Sequence, residues 1–558
     1  MNSLLRSVTS CLRGAAGSTN KKEAQMYQWP AKITDLIAPE THFERASINC
    51  FAKRPTTLNA MFAQSLARNP AGEAVVCEDL RLSYSALDLQ VRLVAAGLQA
   101  LGVTAQSRVA LLLSNSAEFL VVLLASLRIG AIAVPINVRE QTPELAHILR
   151  NCGAMVLVHD TDLAAKLPNA TDLPQLLHRI CLGGPAEGSM GYDNLFAHGA
   201  SPHCPEVTEE ATAVILYTSG TTGQPKGAML THFNIIHSAM HFELCMELGA
   251  GERSLLSVPA SHVTGLVATL FTMLRTAGCS VIMRNFQADA FLALAAHEKV
   301  TQTLMVPAMY NLFLLRCRVE DFDLSHWRIG GYGGAPMAQS TIQELSEKLP
   351  NLLLVNAYGA TELTSPATIM PLGYGATRSD SIGVAVPCGE IRIMDETGRD
   401  VETGAHGELW IKGPMVVPGY WNNPEKTEAE FQDGYWKRGD VGSRDAEGFV
   451  RLHDRRKDMI IRGGYNIYSA EIENALTAHP SVIECAAIGR PDPVLGEKLH
   501  VFVQTADAAF DEDAVKAFIR ARIADYKVPD FVTLLADPLP RNANGKIVKA
   551  TLRAQVQD

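Results

Sequence analysis

Hydrophobic and polar positions follow two different periods along the chain. Between residues 57 and 306, short apolar runs that indicate buried strands are separated by segments with apolar positions at helical spacing. Residues 109–113 are such a run, and residues 117–127 are such a helical segment. Strands that alternate with helices predict parallel sheets with helices on both faces. Because the alternation occurs before and after residue 217, we predict two related α/β subdomains.

The pattern changes near residue 381. Short segments separated by glycines and prolines continue to residue 448, and they predict a small antiparallel sheet or barrel. A charged stretch without apolar periodicity follows at residues 455–458, and a compact α/β unit comes after it. We therefore predict an N-terminal extension over residues 1–50, a large N-terminal domain over residues 51–455 and a C-terminal domain over residues 456–558.

Composition excludes several classes of protein. The 558 residues are 47% hydrophobic and 19% charged, which is typical of a globular chain of several domains. The net charge is −10, and the lack of a basic run argues against nucleic-acid binding. The 11 cysteines are scattered singly without C-x-x-C spacing, which argues against a disulfide framework or a thiolate zinc site. No apolar run approaches the roughly 18 residues of a membrane span.

The first 25 residues differ in composition from the rest. Basic residues occur among Ser and Thr with no acidic residue before Glu23; they are Arg6, Arg13, Lys21 and Lys22. This composition is typical of a mitochondrial presequence. It equally fits a disordered tail, or an over-extended start of the chain upstream of Met26. The cysteine pattern indicates a reducing compartment. We therefore expect a cytoplasmic protein, with the mitochondrial matrix as the alternative.

One stretch combines glycines, hydroxyl residues and a lysine. Residues 217–227 read Tyr-Thr-Ser-Gly-Thr-Thr-Gly-Gln-Pro-Lys-Gly, after a predicted strand and before a segment, 228–234, that can lead into a helix. Glycine N–H groups and hydroxyls can surround phosphate oxygens, and Lys226 supplies a mobile cation. An ordinary flexible turn is the alternative. A Walker A loop is excluded, because Pro225 stands at its second glycine position and Gly227 follows the lysine.

This stretch closely resembles the signature loop of the adenylate-forming acyl-CoA synthetase superfamily, which includes luciferases and the adenylation domains of peptide synthetases. Several stretches between Tyr217 and Lys546 resemble the superfamily's motifs in order. The resemblance implies a large domain of two α/β subdomains and a small β-barrel, followed by a small, mobile α+β C-terminal domain. It also implies that ATP phosphates bind to the loop residues Thr218, Ser219, Gly220, Thr221, Thr222, Gly223 and Lys226.

Two further motifs resemble the superfamily's nucleotide site. Residues 356–362 resemble its Y-G-x-T-E motif, in which the aromatic ring stacks on adenine, the threonine contacts the α-phosphate and the glutamate ligates Mg²⁺. These roles fall on Tyr358, Thr361 and Glu362, and a carboxylate is a suitable ligand for Mg²⁺. The glycine-rich residues 330–336 resemble the loop along the adenine and the acyl pocket. The remaining residues that these motifs place near the nucleotide are Gly333, Gly334, Ala335, Asn356 and Gly359.

Two charged stretches further along the chain also resemble motifs of the superfamily. Asp440, in Tyr-Trp-Lys-Arg-Gly-Asp, resembles the aspartate that accepts hydrogen bonds from both ribose hydroxyls. Arg438 stands where the superfamily usually has Ser or Thr. The charged stretch from Asp454 resembles its hinge motif, although Asp454 replaces the common Gly; Arg455 would reach the nucleotide and Lys457 would be the hinge. A solvated run of charges is the alternative for this stretch.

Three stretches resemble those that handle the acid and the thiol. The loop Pro-Arg-Asn-Ala-Asn-Gly-Lys near the C-terminus resembles the catalytic-lysine loop, so that Lys546 would bridge carboxylate and α-phosphate oxygens. Gly463 and Gly464 would border the pantetheine channel of CoA, and Tyr465 stands where many relatives have Glu. His262 lies in a stretch that resembles the H-x-x-G segment of the acyl pocket, and it would line that pocket rather than transfer protons.

The resemblance therefore predicts an acid–CoA ligase that uses ATP, Mg²⁺ and coenzyme A. The predicted catalytic residues are Lys546, Thr218, Glu362 and His262, with Glu362 as the metal ligand. Small or apolar residues in the expected pocket favour a hydrophobic carboxylic acid, either fatty, aromatic or alicyclic. Two alternatives are an adenylating enzyme that loads a carrier-protein phosphopantetheine and a nucleotide-binding regulator without turnover. A homodimer is left open.

Overall fold

In the part of the chain that the structure describes, the apolar runs form the strands of five sheets. The computed structural model describes residues 26–44, 47–218, 224–463, 465–507, 509–542 and 545–556. In chain order the strands are β1 (Ile37–Glu40), β2 (Ile48–Phe51), β3 (Glu73–Cys77), β4 (Leu80–Ser83), β5 (Arg108–Leu112), β6 (Ile132–Pro135), β7 (Val156–Asp160), β8 (His178–Leu182), β9 (Met190–Gly191), β10 (Thr212–Thr218), β11 (Lys226–Thr231), β12 (Arg253–Leu256), β13 (Cys279–Ile282), β14 (Gln302–Met305), β15 (Ile329–Tyr332), β16 (Leu353–Tyr358), β17 (Thr368–Ile369), β18 (Val384–Ala385), β19 (Glu390–Met394), β20 (Gly407–Lys412), β21 (Phe431–Gln432), β22 (Tyr435–Arg444), β23 (Val450–Arg455), β24 (Ile460–Arg462), β25 (Tyr465–Ile467), β26 (Glu484–Asp492), β27 (Gly496–Gln504) and β28 (Phe531–Leu535).

The helices lie between these strands. In chain order they are α1 (Ala31–Thr34), α2 (Leu58–Arg68), α3 (Tyr84–Ala100), α4 (Ala117–Arg128), α5 (Thr142–Cys152), α6 (His232–Cys245), α7 (Thr272–Thr276), α8 (Ala288–His297), α9 (Pro307–Arg316), α10 (Gln339–Lys348), α11 (Pro424–Glu430), α12 (Ser469–Thr477), α13 (Glu512–Arg520) and α14 (Lys549–Ala554). A π-helical segment, Thr264–Phe271, leads into α7. None of the helices in the described ranges is long and apolar enough to cross a membrane.

Two large sheets form the predicted α/β subdomains. The first has the strand order β11-β10-β6-β5-β7-β8-β9, and it is parallel except where β11 runs antiparallel to β10. The second has the order β18-β17-β16-β15-β14-β12-β13-β3-β4, with a parallel centre from β16 to β3. The prediction of parallel, helix-covered sheets is confirmed. One detail of the topology was not predicted: β3 and β4 come early in the chain, but they join the second sheet beside β13.

Helix α4 is buried on nearly all sides between these two sheets. It contacts β5 and β6 of the first sheet and β3 of the second. All of its residues are buried except Glu118 and Arg128. A helix that is apolar all round needs such surroundings, which explains the long apolar run in this part of the sequence.

The region after residue 381 contains a five-stranded antiparallel sheet. Its order is β19-β20-β22-β21, and β23 pairs with β22. Ile391 and Ile411 of this sheet share a core with Val355 and Ile369 of the second large sheet. The predicted antiparallel sheet is therefore confirmed. The strand pairs among the described residues leave the sheet open, so its closure into a barrel is not confirmed.

The C-terminal domain has a sheet and a core of its own. The order is β25-β24-β27-β26, with β28 parallel to β27. Apolar residues of α12 and α13, such as Ile472 and Val515, pack on the sheet. β23 ends at Arg455 in the preceding sheet, and β24 begins at Ile460 in the C-terminal sheet. The α+β character of this domain is confirmed, whereas the boundary between residues 455 and 456 stays a prediction.

Residues that precede the predicted large domain also pack on it. β1 pairs with β2, and Trp29 Nε1 donates a hydrogen bond to the carbonyl oxygen of Ala385 at 2.8 Å. Ile33 and Cys50 are buried. The sequence pattern begins only near residue 57, because α1, β1 and β2 are too short to show a period. Residues 1–25, which carry the predicted presequence, lie outside the described residues.

Asn115, just after β5, connects the two large sheets. Its Nδ2 donates to the carbonyl oxygens of Val258, at 3.0 Å, and Met283, at 3.1 Å. Its Oδ1 accepts a hydrogen bond from Ala260 N at 2.7 Å. Val258 and Met283 directly follow strands of the second sheet, so one buried amide joins both subdomains.

We expect Asn115→Ala to lower the free energy of unfolding by about 2–3 kcal/mol, because it leaves buried backbone groups without partners. Chemical denaturation measures this change. Asn194→Ala is the matched control, since Asn194 is exposed and its amide makes one hydrogen bond, to Gly191 O; its effect should stay within about 0.5 kcal/mol. Equal effects of the two substitutions would contradict the role given to Asn115.

Candidate active site

The predicted phosphate loop closes a β-hairpin. Thr218 ends β10 and pairs with Lys226, the first residue of β11. Residues 228–234 lead into a helix as expected: the apolar residues of β11 first complete the sheet beside β10, and α6 begins at His232. The candidate phosphate site therefore lies along the chain between two paired antiparallel strands. The predicted ligands that lie outside the described residues are Ser219, Gly220, Thr221, Thr222 and Gly223.

Lys226 is held by two side chains from a distant part of the chain. Its Nζ lies 2.7 Å from Glu430 Oε1, 3.1 Å from Tyr420 Oη and 4.2 Å from the centre of the Tyr420 ring. Only 12% of the Lys226 side chain is exposed. The lysine predicted as a mobile cation is therefore fixed in this structure. Sequence reasoning missed Tyr420 and Glu430, because no local pattern marks residues that meet Lys226 across about two hundred positions.

Tyr420 also connects Lys226 to the predicted metal ligand. Its Oη lies 2.8 Å from Glu362 Oε1 and 2.5 Å from Glu430 Oε2. Burial and then the charges of Glu362 and Glu430 raise the pKa of Tyr420 far above its usual range, so the hydroxyl keeps its proton. One proton can serve only one carboxylate at a time. With both carboxylates ionised, these four residues, the Lys226 cluster, carry one net negative charge.

Glu362 fits the role of a metal ligand. It lies in a short 3₁₀ turn, Thr361–Leu363, and is 1% exposed. Its Oε2 has no hydrogen-bond partner among the described residues. A buried carboxylate oxygen without a partner is costly. Mg²⁺ prefers oxygen ligands, so the ion would satisfy this oxygen and offset the negative charge of the Lys226 cluster.

The residues predicted for adenine and ribose meet at one place. Tyr358 Oη donates to Asp440 Oδ2 at 2.6 Å, and Arg455 Nε donates to Asp440 Oδ1 at 3.2 Å. Asp440 is buried, and it pairs with Arg455 across strands β22 and β23. Both carboxylate oxygens are oriented by these neighbours and keep capacity to accept further hydrogen bonds. The structure brings the three residues together, and their roles toward a nucleotide stay predictions.

The glycine-rich loop begins at the end of β15, beside the end of β16. A Cβ on Gly333 would lie 2.4 Å from the carbonyl oxygen of Ala357, so the strands leave no room for a side chain there. Gly334 has a φ of +78°, and Ala335 is exposed. Parallel strands that end at one edge place the two motifs side by side. The adjoining motif contributes the buried or half-buried residues Asn356, Tyr358, Gly359 and Thr361.

The positive charge of Lys546, in the predicted C-terminal domain, acts on His262 of the large domain. Burial and then the positive charge of Lys546 lower the pKa of His262 to about 4. His262 Nδ1 lies 3.2 Å from Thr264 Oγ1 and 3.3 Å from Thr264 N, which donates to it. The imidazole is therefore neutral at physiological pH. The lysine of the C-terminal domain thus lies near the residue predicted to line the acyl pocket.

The other predicted residues of the C-terminal region make local contacts. Gly463 has a φ of +58° and donates its N–H to the carbonyl oxygen of Leu495 at 2.7 Å. Lys457 is exposed, and its carbonyl oxygen accepts a hydrogen bond from Arg553 at 3.2 Å. Gly464 lies outside the described residues. These contacts test neither a thiol channel nor a hinge, so both roles stay predictions.

Comparison with known proteins decides the family. A model of AMP-binding enzymes matches residues 62–421, and a model of the C-terminal domain of AMP-binding enzymes matches residues 471–546. The chain belongs to the AMP-binding enzyme family. The two matched regions lie on either side of the charged stretch at residues 455–458.

The relatives of this AMP-binding enzyme are named as CoA ligases and synthases. An indoleacetate–CoA ligase of Aromatoleum aromaticum is 35% identical over 87% of this chain and 96% of the relative. A feruloyl-CoA synthase of an Amycolatopsis species is also 35% identical, with the same coverage. A long-chain-fatty-acid–CoA ligase of Mycobacterium tuberculosis is 32% identical over 89% of this chain and 97% of the relative. The chain is therefore an AMP-forming acid–thiol ligase.

A solved relative shares the fold of this AMP-binding enzyme. The o-succinylbenzoate–CoA synthetase of Bacillus subtilis, in complex with ATP and a magnesium ion, is 30% identical with a TM-score of 0.79. The match covers 89% of this chain and 99% of that chain. The same synthetase has been solved with its acyl-adenylate intermediate, and it matches at 29% identity with a TM-score of 0.79. The fold is therefore that of the adenylate-forming CoA ligases.

We expect Lys546→Ala to raise the pKa of His262 from about 4, because a nearby positive charge disfavours the imidazolium. Histidine NMR titrations of both proteins, with His262→Gln to assign the signal, measure this shift. Lys498→Ala is the matched control, because Lys498 pairs with Asp492 at 2.7 Å and should leave the pKa of His262 unchanged. An unchanged pKa in Lys546→Ala would contradict the proximity of the two residues.

The same lowered pKa predicts how stability depends on pH. His262 binds a proton in the unfolded chain near its ordinary pKa of 6.5, but in the folded chain only near 4. The unfolded state therefore binds more protons between these values, and the contribution of His262 to stability falls as the pH drops from 6.5 towards 4. Denaturation of the wild type and His262→Gln at pH 7 and pH 5 checks this, and a wild type that loses no more stability than the variant would contradict it.

Proposed function

We propose that this enzyme activates a hydrophobic carboxylic acid with ATP and transfers the acyl group to coenzyme A. In the first step a carboxylate oxygen of the acid attacks the α-phosphorus of ATP. The bond from this phosphorus to the bridging oxygen breaks, and acyl-AMP and pyrophosphate form. In the second step the thiolate of CoA attacks the acyl carbonyl carbon, and AMP leaves to give acyl-CoA.

The position of Lys546 carries this proposal. Its charge helps to lower the pKa of His262, which supports a position of Lys546 near the expected acyl pocket. The first step gathers negative carboxylate and phosphate oxygens, and a preorganised cation stabilises such a transition state. We assign to Lys546 the bridge between the acid and the α-phosphate. Thr218 and the loop after it would contact the phosphates, and a neutral His262 would line the pocket.

We assign Mg²⁺ to Glu362. The ion, when bound, neutralises charge on phosphate oxygens. The unpartnered Oε2 of Glu362 supports this assignment, since Tyr420 engages Oε1 and leaves Oε2 for a ligand. Tyr358, Asp440 and Arg455 would hold the adenosine of ATP. The hydrogen bonds of Tyr358 and Arg455 to Asp440 bring the three residues together, which supports a common ligand.

Lys546 and the paired glycines 463 and 464 would serve different steps. All three belong to the predicted C-terminal domain, where Gly463 directly follows β24 and Lys546 lies shortly before α14. The domain would present Lys546 for the first step and the glycine loop, as the border of the pantetheine channel, for the second. Lys457 would be the hinge of this rotation, which is a switch between two packed states. The side chain of Lys457 is exposed, so its backbone angles can change without disrupting a hydrophobic core, and this supports the hinge role.

A hydrophobic acid is supported by the relatives and by the types of residue expected in the acyl pocket. The relatives are named for indoleacetate, ferulate and long-chain fatty acids, which all combine a carboxylate with a large apolar part. The residues expected in the acyl pocket include 305–310 and 331–335, and two of them, Val306 and Ala335, are exposed apolar residues. The names of the relatives also favour CoA as acceptor over a carrier protein.

A panel of acids tests the proposal. AMP release would be measured with short, medium and long fatty acids and with benzoic, cinnamic and indoleacetic acids, each with and without CoA. CoA-dependent AMP release with apolar acids is the expected result. Acyl-AMP that CoA does not discharge would instead support transfer to a carrier-protein phosphopantetheine. No AMP release with any acid would contradict the proposal.

A cytoplasmic location is part of the proposal. All ten cysteines in the described part of the chain are free, and free thiols persist in reducing compartments. The mitochondrial matrix is the alternative, because residues 1–25 resemble a presequence in composition. Fractionation of cells that express the full chain, compared with a chain that starts at Met26, separates these locations.

We expect Lys546→Ala to slow acyl-AMP formation by about 100-fold or more, which is typical when a preorganised stabilising group is removed. The discharge of supplied acyl-AMP by CoA should be retained, because the lysine acts only in the first step. Pyrophosphate release measures the first step, and acyl-CoA formation from acyl-AMP measures the second. Lys498→Ala is the control for loss of one positive charge. Equal loss of both steps in Lys546→Ala would contradict the division of roles.

We expect Glu362→Gln to raise the Mg²⁺ concentration that gives half-maximal adenylation and to slow adenylation by about 100-fold, because an amide is a weaker ligand than a carboxylate. Pyrophosphate release at increasing Mg²⁺ concentrations measures both effects. Glu428→Gln removes an equal charge from an exposed position on α11 and should change neither. A Glu362→Gln enzyme with the wild-type Mg²⁺ dependence would show that this carboxylate is not the ligand.

A further inference from the structure

Asp454 contacts the C-terminal domain from the other side of the predicted hinge. It lies at the end of β23, three positions before Lys457. Its Oδ2 accepts a hydrogen bond from the backbone N of Ser469, and its Oδ1 accepts one from Ser469 Oγ at 3.0 Å. Ser469 is the first residue of α12. A side chain of the antiparallel sheet is therefore bonded to the start of a C-terminal helix.

This contact supplies the cap that α12 lacks in its own sequence. Tyr468 precedes the helix, and its side chain makes no capping hydrogen bond. The first N–H groups of a helix need acceptors, and a carboxylate is a favourable one because of the helix dipole. Asp454 provides this acceptor from the neighbouring domain. The stability of the helix start is thus coupled to the relative orientation of the two domains.

A second contact across the same boundary strengthens the coupling. His406, just before β20, has its Nδ1 2.9 Å from Tyr468 Oη. Its ring stacks on His453 of β23 with centroids 3.9 Å apart. His453 in turn lies 2.9 Å from Ser443 Oγ of β22. Adjacent residues of the C-terminal domain, Tyr468 and Ser469, are therefore both held by the antiparallel sheet.

We propose that Asp454, supported by His406, is a positioning residue that holds the C-terminal domain in the orientation that presents Lys546 to the acid. The inference rests on the proposed function, because it assigns this orientation to the first of two steps. A large rotation about Lys457 would move α12 relative to β23 and would break the bonds of Asp454 to Ser469. A glycine at position 454, as is common in the superfamily, could not form them.

Other contacts anchor α12 within the C-terminal domain, so we expect this domain to fold without Asp454. α12 buries Ile472 and Leu476 in the C-terminal core. Lys549 Nζ donates to Ser469 Oγ at 2.6 Å and pairs with Glu473 at 2.7 Å, so these groups keep partners when Asp454 is replaced. Removal of Asp454 should therefore change the orientation of the domain more than its stability.

The test compares Asp454→Ala with Asp454→Asn and Asp507→Ala in both half-reactions. Asp454→Ala should slow acyl-AMP formation by about 10-fold, the size expected for lost hydrogen bonds to a charged group, and should leave the discharge of supplied acyl-AMP by CoA equal or faster. Asp454→Asn keeps an acceptor for Ser469 N and should recover part of the loss. Asp507 accepts hydrogen bonds from Ala509 N and Ser481 Oγ within the C-terminal domain, so Asp507→Ala should leave the ratio of the two rates unchanged.

A readout that needs no turnover separates this inference from the proposed function. If Asp454→Ala releases the domain, the charge of Lys546 moves away from His262, and the pKa of His262 measured by NMR should rise towards its value in Lys546→Ala. Asp507→Ala should not move it. This rise would support the inference even if the wild type activated no acid. An unchanged pKa of His262 in a folded Asp454→Ala protein, or an equal loss of both half-reactions, would overturn it.

Discussion

Tyr420 has one hydroxyl proton and two carboxylates within reach of it. Glu362 and Glu430 both approach this hydroxyl, and Lys226 is the one cation among the four residues of the cluster. A buried group with this surplus of negative charge is costly unless a further cation balances it. The need for positive charge at the unpartnered oxygen of Glu362 thus follows from the fold itself. The Mg²⁺ proposed at Glu362 would supply the positive charge that this buried cluster needs, at the place where the ATP phosphates are expected to bind.

The second cation of the proposed site comes from a separate domain. Lys546 acts on His262, whereas Lys226 is fixed within the large domain. This arrangement suits a reaction of two steps. Lys226 can stay beside the phosphates in both steps, whereas Lys546 can move away with its domain before the thiol of CoA enters. The bonds between Asp454 and Ser469 give the arrangement a physical basis. The orientation of the C-terminal domain thus depends on a few hydrogen bonds, which can break while the hydrophobic core of each domain stays intact.

Much of the fold could be predicted from sequence, because periodicity reports contacts within a few residues. It identified α4 and the parallel strands around it, and the motifs identified Glu362, Asp440 and Lys546 as candidates. Strand β11 was not predicted, because its apolar residues suit a strand or a helix start until pairing with β10 decides between them. The remaining features depend on distant residues. Neither the place of β3 beside β13 nor the contacts of Tyr420 with Glu362 and Lys226 leaves a local pattern in the sequence.

The central claim is that residues of both domains form one site where an acid is joined to AMP. The exchange of labelled pyrophosphate into ATP tests it most directly, because exchange requires reversible formation of acyl-AMP. The account predicts that exchange needs both an apolar acid and Mg²⁺ and proceeds in the absence of CoA. Exchange without any acid, or acyl-CoA formation without any exchange, would contradict it.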